Sequence, residues 1–229
     1  MAADERGSST WAILVAAGEG ARLGADRPKA FVALGGRVLL AESLERLDAS
    51  DWIDAVVVAV PADWEEAAIV LAEELVASKV AAVVPGGTTR VESVRAALAE
   101  IPDDALVVIV HDAARPLVDD AVIERVLGPL SEGYDGVVPG LPVTDTIKRV
   151  EGGVVAETVD RSSLVTVQTP QAFTATALRA AYREASPAEA TDCASLVEGA
   201  GGRVRVVAGD RRLLKITTKE DLALIESWL

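Results

Sequence analysis

The sequence predicts an α/β protein, a mostly parallel sheet with helices on both faces and a β-hairpin arm projecting from it. Three observations predict it. Short, continuous Val- and Ile-rich runs recur, as strands buried on both faces do. Longer amphipathic stretches with helix-start signals separate them. Half of the 229 residues are hydrophobic but only 3% are aromatic, so the core must be layered from Ala, Val, Leu and Ile.

Thr10–Ala16 reads as the first strand, and a glycine-rich loop runs from it to Pro28. Val38–Leu47 reads as a helix and Ala55–Val60 as the second strand. Asp63 opens the next helix, with Glu66 three residues on as a capping box. Val80–Val84 is the third strand. Thr89 and Glu92 form another capping box, starting a helix that ends near Ile101 and Pro102. Leu106–His111 is the fourth strand and Asp119–Leu130 a helix. After Val137 the character changes. Thr144–Val150 and Val154–Val159 flank a glycine turn at Gly152 and Gly153, the pattern of a hairpin. Leu164–Gln168 reads as a return to the sheet. Helices are expected at Thr174–Glu184 and Thr191–Gly199, and strand-like runs at Val204–Ala208 and Leu213–Ile216. Thr218 starts the last helix, with Asp221 completing its cap. Residues 10–229 read as one domain, and Met1–Ser9, polar and small, as a disordered lead-in without the apolar core of a signal peptide.

The formal net charge of −14 argues against coating nucleic acid or a membrane surface, since both need broad positive potential. One cysteine, Cys193, excludes an intrachain disulfide, and one histidine, His111, excludes a two-histidine metal site. No apolar run approaches the roughly 18 residues of a membrane span. A cytoplasmic setting is the expectation.

Ligands of such sheets bind beyond the carboxyl ends of the strands. Three unusual loops fall there. The first, Ala16-Ala17-Gly18-Glu19-Gly20-Ala21-Arg22, continues to Pro28 and Lys29. It is either a backbone cradle for an anion or a plain strand-to-helix turn. It fails the dinucleotide fingerprint, because Leu23 stands where glycine is needed, and it lacks the Gly-Lys of a Walker loop. Arg22 and Lys29 are either anion ligands or solvated cations. The second loop, Gly86-Gly87-Thr88-Thr89-Arg90 with Ser93, enters a helix N-terminus, which suits a phosphate or base carbonyl as well as simple capping. The third, His111-Asp112-Ala113-Ala114-Arg115-Pro116, ends a strand. There Asp112 can meet Mg²⁺ or cap the turn, and Arg115 can fork onto a phosphate or pair with Asp112. His111 is expected to pack with the strand rather than act as a base.

These loops together resemble the family of 2-C-methyl-D-erythritol 4-phosphate cytidylyltransferases. So do Asp145-Thr146-Ile147-Lys148-Arg149, Asp160-Arg161, Thr169-Pro170-Gln171, Thr191-Asp192 and Lys215. The resemblance runs from Thr10 to Leu229. It implies a Rossmann-like, nucleotidyltransferase-type sheet and transfer of CMP from CTP to methylerythritol 4-phosphate, releasing pyrophosphate with Mg²⁺. Arg22 and Lys29 would stabilise the triphosphate in the transition state, and Arg161 and Lys215 would position the acceptor. Ala16, Ala17, Gly18, Gly20, Gly86, Gly87, Thr88 and Ser93 would hold the nucleotide. Asp112 would serve nucleotide, metal and acceptor. Ala113, Arg115, Thr146, Thr169 and Thr191 would line the acceptor site. The family forms homodimers through an arm, here about residues 141–162, so Thr146 and Arg161 would serve the neighbouring subunit. Many relatives carry Asp where Thr88 stands and Gln where Ala30 stands.

The nucleophile would be the acceptor's own phosphate oxygen. A phosphate monoester has a second pKa near 6, so no general base is required. The alternatives are another polyol phosphate, such as ribitol 5-phosphate, as acceptor, or a nucleotide-binding protein without turnover.

Overall fold

The computed structural model describes residues 9–184 and 190–229. The remaining residues of the expected lead-in lie outside them. Strand β1 (Thr10–Val15) starts a central sheet. The short pair β2 (Ala33–Leu34) and β3 (Arg37–Val38) leads into helix α1 (Leu39–Ala49). Then come β4 (Ala55–Val60), α2 (Glu65–Glu74), β5 (Val80–Pro85), α3 (Arg90–Leu98), β6 (Val107–Asp112), α4 (Asp120–Leu127) and β7 (Gly136–Pro142). The hairpin is β8 (Ile147–Glu151) with β9 (Val154–Val159), a two-stranded sheet separate from the central one. The chain closes with β10 (Val165–Val167), β11 (Gln171–Thr174), α5 (Ala175–Glu184), α6 (Cys193–Gly199), β12 (Val204–Ala208) and α7 (Lys219–Glu226).

Strands β6, β1, β4 and β5 run parallel in that spatial order. Beyond β6 lies β11, antiparallel to both β6 and β7. β10 continues the same antiparallel run along β7, and β12 closes the far edge of β7 in parallel. Alternation along β1 divides the core. Ala12 and Leu14 pack on the face with Leu44, Val122 and Ile123, and Ile13 packs on the face with Val94, Leu178 and Val197. A smaller cluster of Leu23, Leu34, Leu117, Ile216 and Ile225 ties the first loop to the C-terminal segment.

The first four strands, the hairpin, and the capping boxes at Thr89 and Thr218 agree with the sequence reading. Four features differ. β7 and β11 are strands that the pattern does not announce. Their sequences, GVVPGLP and QAFT, carry glycine, proline and glutamine into buried positions. No side-chain cap forms at Asp63. Pro61 opens a 3-10 turn over Ala62–Trp64 instead, and Trp64 packs on Phe31 with ring centroids 4.4 Å apart, so α2 starts at Glu65. Leu213–Ile216 joins no strand, because its bonds go sideways to the third loop: Ile216 N donates to Ala114 O, and Leu213 O accepts from Arg115 Nη1. Helix α6 begins at Cys193, with Asp192 rather than Thr191 at its start.

Candidate active site

The three loops are lashed together where the parallel strands end. Ala16 N donates to Ala59 O, Gly86 N to Val60 O and Ala113 N to Val15 O, continuing the sheet ladder into each loop. At Gly86 the loops nearly touch. An added Cβ there would sit 2.3 Å from Ala17 Cβ and 2.9 Å from Ser93 Oγ. Gly20 has φ +70°, and a Cβ on it would fall 2.7 Å from Lys29 Cβ, so this glycine lets the lysine stem pass. Ser93 Oγ accepts from Gly87 N and donates to Thr89 O, pinning the second loop over α3. Thr88 Oγ1 donates to Glu92 Oε2 at 2.7 Å.

Two clefts open on this end of the sheet. The first has a volume of about 190 Å³ and is lined by the three loops together with Lys29 and Lys215. The second, about 300 Å³, is lined by Arg115, Gln168, Thr169, Gln171, Thr191 and Asp192, among others. Arg90, Asp112 and Lys215 line both. Asp112 Oδ1 accepts from Arg90 Nε at 3.1 Å and Oδ2 from Lys215 Nζ at 2.7 Å. Burial alone would push this carboxyl up, but Arg90, Lys215 and Arg115 hold it well below the usual carboxylate range, so it is ionised. Burial pushes the Lys29 ammonium down to about 8, with the Lys215 and Arg22 charges adding to the fall and Asp112 opposing it.

His111 is packed, as its place in the strand suggests. Its Nε2 lies 3.1 Å from Arg115 O, which can only accept, so the proton sits on Nε2 and Nδ1 accepts from Thr169 Oγ1. Burial pushes the imidazole down to about 4 against the pull of Asp112. Thr169 Oγ1 also accepts from Asp112 N, so Thr169 fixes the strand end that carries the hub carboxylate.

A model of the 2-C-methyl-D-erythritol 4-phosphate cytidylyltransferase family matches residues 10–229. The chain belongs to this family. It is 50% identical over 228 residues to a protein of that name from Nocardia farcinica, covering 99% of this chain and 96% of the relative. It is 49% identical over 225 residues to the one from Saccharopolyspora erythraea, covering 96% and 99%. A Thermus thermophilus cytidylyltransferase structure of that name is 34% identical with a TM-score of 0.77, covering 94% of this chain and 96% of that one. The 4-diphosphocytidyl-2C-methyl-D-erythritol synthase structure from Anaerococcus prevotii is 27% identical with a TM-score of 0.83, covering 97% and 98%. The chain is a nucleotidyltransferase, and its reaction is CTP-dependent cytidylyl transfer to methylerythritol phosphate.

Most cytidylyltransferase residues expected from the sequence converge. Ala16, Ala17, Gly18, Lys29, Gly87, Thr88, Ser93, Asp112, Ala113 and Lys215 line the first cleft. Arg115, Thr169 and Thr191 line the second. Gly20 and Gly86 act from beneath, by leaving room. Arg22 is exposed on the 3-10 turn Ala21–Leu23, outside the lining but close enough to bear on the Lys29 charge. Thr146 and Arg161 are exposed beside the hairpin and line neither cleft. The Arg161 guanidinium folds back onto Thr144 O. Sequence reasoning gave no role to Arg90, Gln168, Gln171 or Asp192. All but Gln168 lie inside motifs that carry the family resemblance, and that membership was the available signal.

Among the described residues, no group of three or more His, Cys, Asp or Glu side chains could hold a metal ion. A cation brought in on phosphates would find in Asp112 the one carboxylate of the hub. No helix among the described residues is long and apolar enough to cross a membrane.

Proposed function

We propose that the first cleft holds CTP and the second holds methylerythritol 4-phosphate, and that the two reactants meet across Asp112. The cleft's charge orients the nucleotide. Lys29 and Lys215 bring positive charge to the cleft for the triphosphate, and the uncharged loop from Gly87 to Thr89 with Ser93 would take base and ribose. Arg115, Lys215 and Thr191 receive the acceptor phosphate and polyol. A phosphate oxygen of the acceptor attacks the α-phosphorus of CTP, the bond to the bridging oxygen breaks, and pyrophosphate leaves with that electron pair. Lys29, with Arg22 reaching in from its exposed turn, offsets charge on the leaving group, while Lys215 holds the attacking phosphate against the same centre. Preorganised cations of this kind contribute about 3 kcal/mol each. Asp112 orients Arg90 and Lys215 and keeps two cationic side chains from repelling each other. Asp112 would be the carboxylate to reach Mg²⁺ carried in on the triphosphate, which when bound would supply further charge neutralisation.

The hairpin belongs to a homodimer in this reading. Val150 and Val155 are cross-strand partners and both exposed, an apolar pair suited to a second copy of the chain, and Thr146 and Arg161 would then serve the neighbour's acceptor cleft. The setting is the cytoplasm.

One observation carries the assignment of the two sites: both clefts share the Arg90–Asp112–Lys215 bridge. The test is pyrophosphate release with Mg²⁺ across CTP, ATP, GTP and UTP, each with methylerythritol 4-phosphate or ribitol 5-phosphate. Release is expected with CTP and methylerythritol 4-phosphate. Preference for ribitol 5-phosphate, or thermal stabilisation by CTP without release, would overturn it.

A further inference from the structure

Among the described residues, four buried side-chain polar atoms have no hydrogen-bond partner: Arg46 Nε, Arg90 Nη2, Arg115 Nε and Gln171 Oε1. All but Arg46 belong to residues that line the second cleft. Two are donors and one is an acceptor. Buried polar groups are nearly always paired, so three orphans around one cleft mark what its ligand must offer.

Gln171 is the informative member. It is 1% exposed, on the antiparallel strand between β6 and β7. Its Nε2 donates to Asp192 Oδ2 at 2.9 Å. A carboxylate accepts only, so Asp192 decides which way the amide faces and leaves Oε1 as the unpaired end. Gln168, three residues earlier in the same cleft, makes the contrast. Both ends of its amide are paired with the backbone of Asp210, so neither is left without a partner.

Arg90 is held from the same place. Its Nε donates to Asp112 and its Nη1 contacts Cys193 Sγ at 3.1 Å. Asp192 and Cys193 are consecutive residues at the start of α6, and Asp192 is fixed there by accepting from Ser195 N. One helix start thus orients two cleft side chains from behind, one presenting a lone pair and the other an N–H.

We infer that Gln171 and Arg90 are acceptor-reading residues: Gln171 Oε1 accepts from a hydroxyl of the polyol, and Arg90 Nη2 donates to an oxygen of the same molecule. Among these cationic groups, the carbonyl oxygen of Gln171 is the group that a hydroxyl satisfies and a phosphate oxygen does not. The second cleft therefore selects a hydroxylated phosphate over a deoxygenated one, by hydrogen bonding as well as by charge. This rests on the assignment of the second cleft to the acceptor.

The experiment measures KM for CTP and for methylerythritol 4-phosphate in the full chain and in Gln171→Leu and Asp192→Asn, with melting temperatures alongside. It includes analogues of the acceptor that each lack one hydroxyl. Asp192→Asn keeps a good helix cap but lets the Gln171 amide turn over. Gln171→Leu is expected to raise the acceptor KM roughly tenfold or more, with the CTP KM within about twofold, and to lose preference over one deoxy analogue. Asp192→Asn is expected to raise it several-fold in the same direction. Equal rises for both substrates, or unchanged discrimination against every analogue in Gln171→Leu, would overturn the inference while leaving the reaction standing. Failure of the unaltered chain to use methylerythritol 4-phosphate would instead remove the reading beneath it.

Discussion

The first cleft is made largely of loops that each follow a parallel strand, whereas the second is made mostly of side chains carried in from the other half of the chain. In the first, the strand ends themselves bring Ala17, Gly86 and Ala113 together, and much of the lining is small residues and glycine. In the second, Thr169 and Gln171 come from a strand that runs against its neighbours and the turn before it, Thr191 and Asp192 from a helix start, and Lys215 from a segment in no strand. A glycine-lined site fails by being filled. A site of oriented side chains fails when one partner of a hydrogen bond is removed. The hub at Asp112 belongs to both, so three substitutions or conditions should separate the behaviours.

The largest effect is expected at the hub. Asp112 is 6% exposed and faces two cations. Asp112→Asn keeps the shape but presents an N–H to Arg90 or to Lys215. Breaking a buried pair so that charge is left uncompensated costs about 3 kcal/mol or more. A fall in kcat of roughly 10²-fold is expected, with both KM values displaced. Steady-state kinetics varying each substrate in turn reads this. A change confined to one substrate would show that the clefts are not joined there.

Gly86→Ala should act on one cleft alone. The added methyl overlaps Ala17 Cβ, so the first and second loops must part. Small misplacements of a binding loop cost heavily in catalysis, and a rise in the CTP KM of about tenfold is expected. Acceptor affinity, measured by calorimetry, should not move, because the atoms nearest the added methyl belong to Ala17 and Ser93, which line the first cleft and not the second. A comparable loss of acceptor binding would mean that the clefts are mechanically one.

The same division decided what the sequence could reveal. Continuous apolar runs in β1, β4, β5 and β6 made the parallel half legible, and with it the loops that must follow those strands. β7 was not legible, since it runs from Gly136 to Pro142 with Pro139 and Gly140 in its middle, and its pairing is settled by neighbours distant in sequence. Leu213–Ile216 looked like a strand because it is a short, mostly apolar run. Its apolar residues flank Lys215 and anchor it in the body of the protein, Leu213 in the large core cluster and Ile216 with Leu214 in the small one with Leu23, rather than joining a ladder. Periodicity records which side is buried, and it is silent on whether a ladder or a loop does the burying. Lys29, Asp112 and Lys215 were nameable one by one. That Arg90 bridges to Asp112, with Cys193 behind it, depends on a contact across 103 positions that no local pattern carries.

The smallest expected effect is one of pH, and it too should fall on a single cleft. Burial and the neighbouring Lys215 charge lower the Lys29 ammonium to about 8 in the free chain. Its charged form is the one that attracts a triphosphate, so affinity must fall as pH rises through that value. Bound triphosphate returns a counter-charge and raises the pKa again. The dependence of kcat/KM on pH reports the free enzyme. With CTP varied, kcat/KM should therefore drop about fivefold between pH 8 and 9. With the acceptor varied at saturating CTP, that limb should move to higher pH, leaving the acid limb near 6 set by the acceptor's own phosphate. Lys29→Arg keeps the charge to far higher pH, because a guanidinium does not deprotonate in this range. Whatever its absolute rate, that variant should lack the limb near 8 when CTP is varied. A limb that persists in Lys29→Arg, or that appears equally with either substrate varied, would assign the titration to a group other than Lys29 and separate the lysine from the nucleotide side.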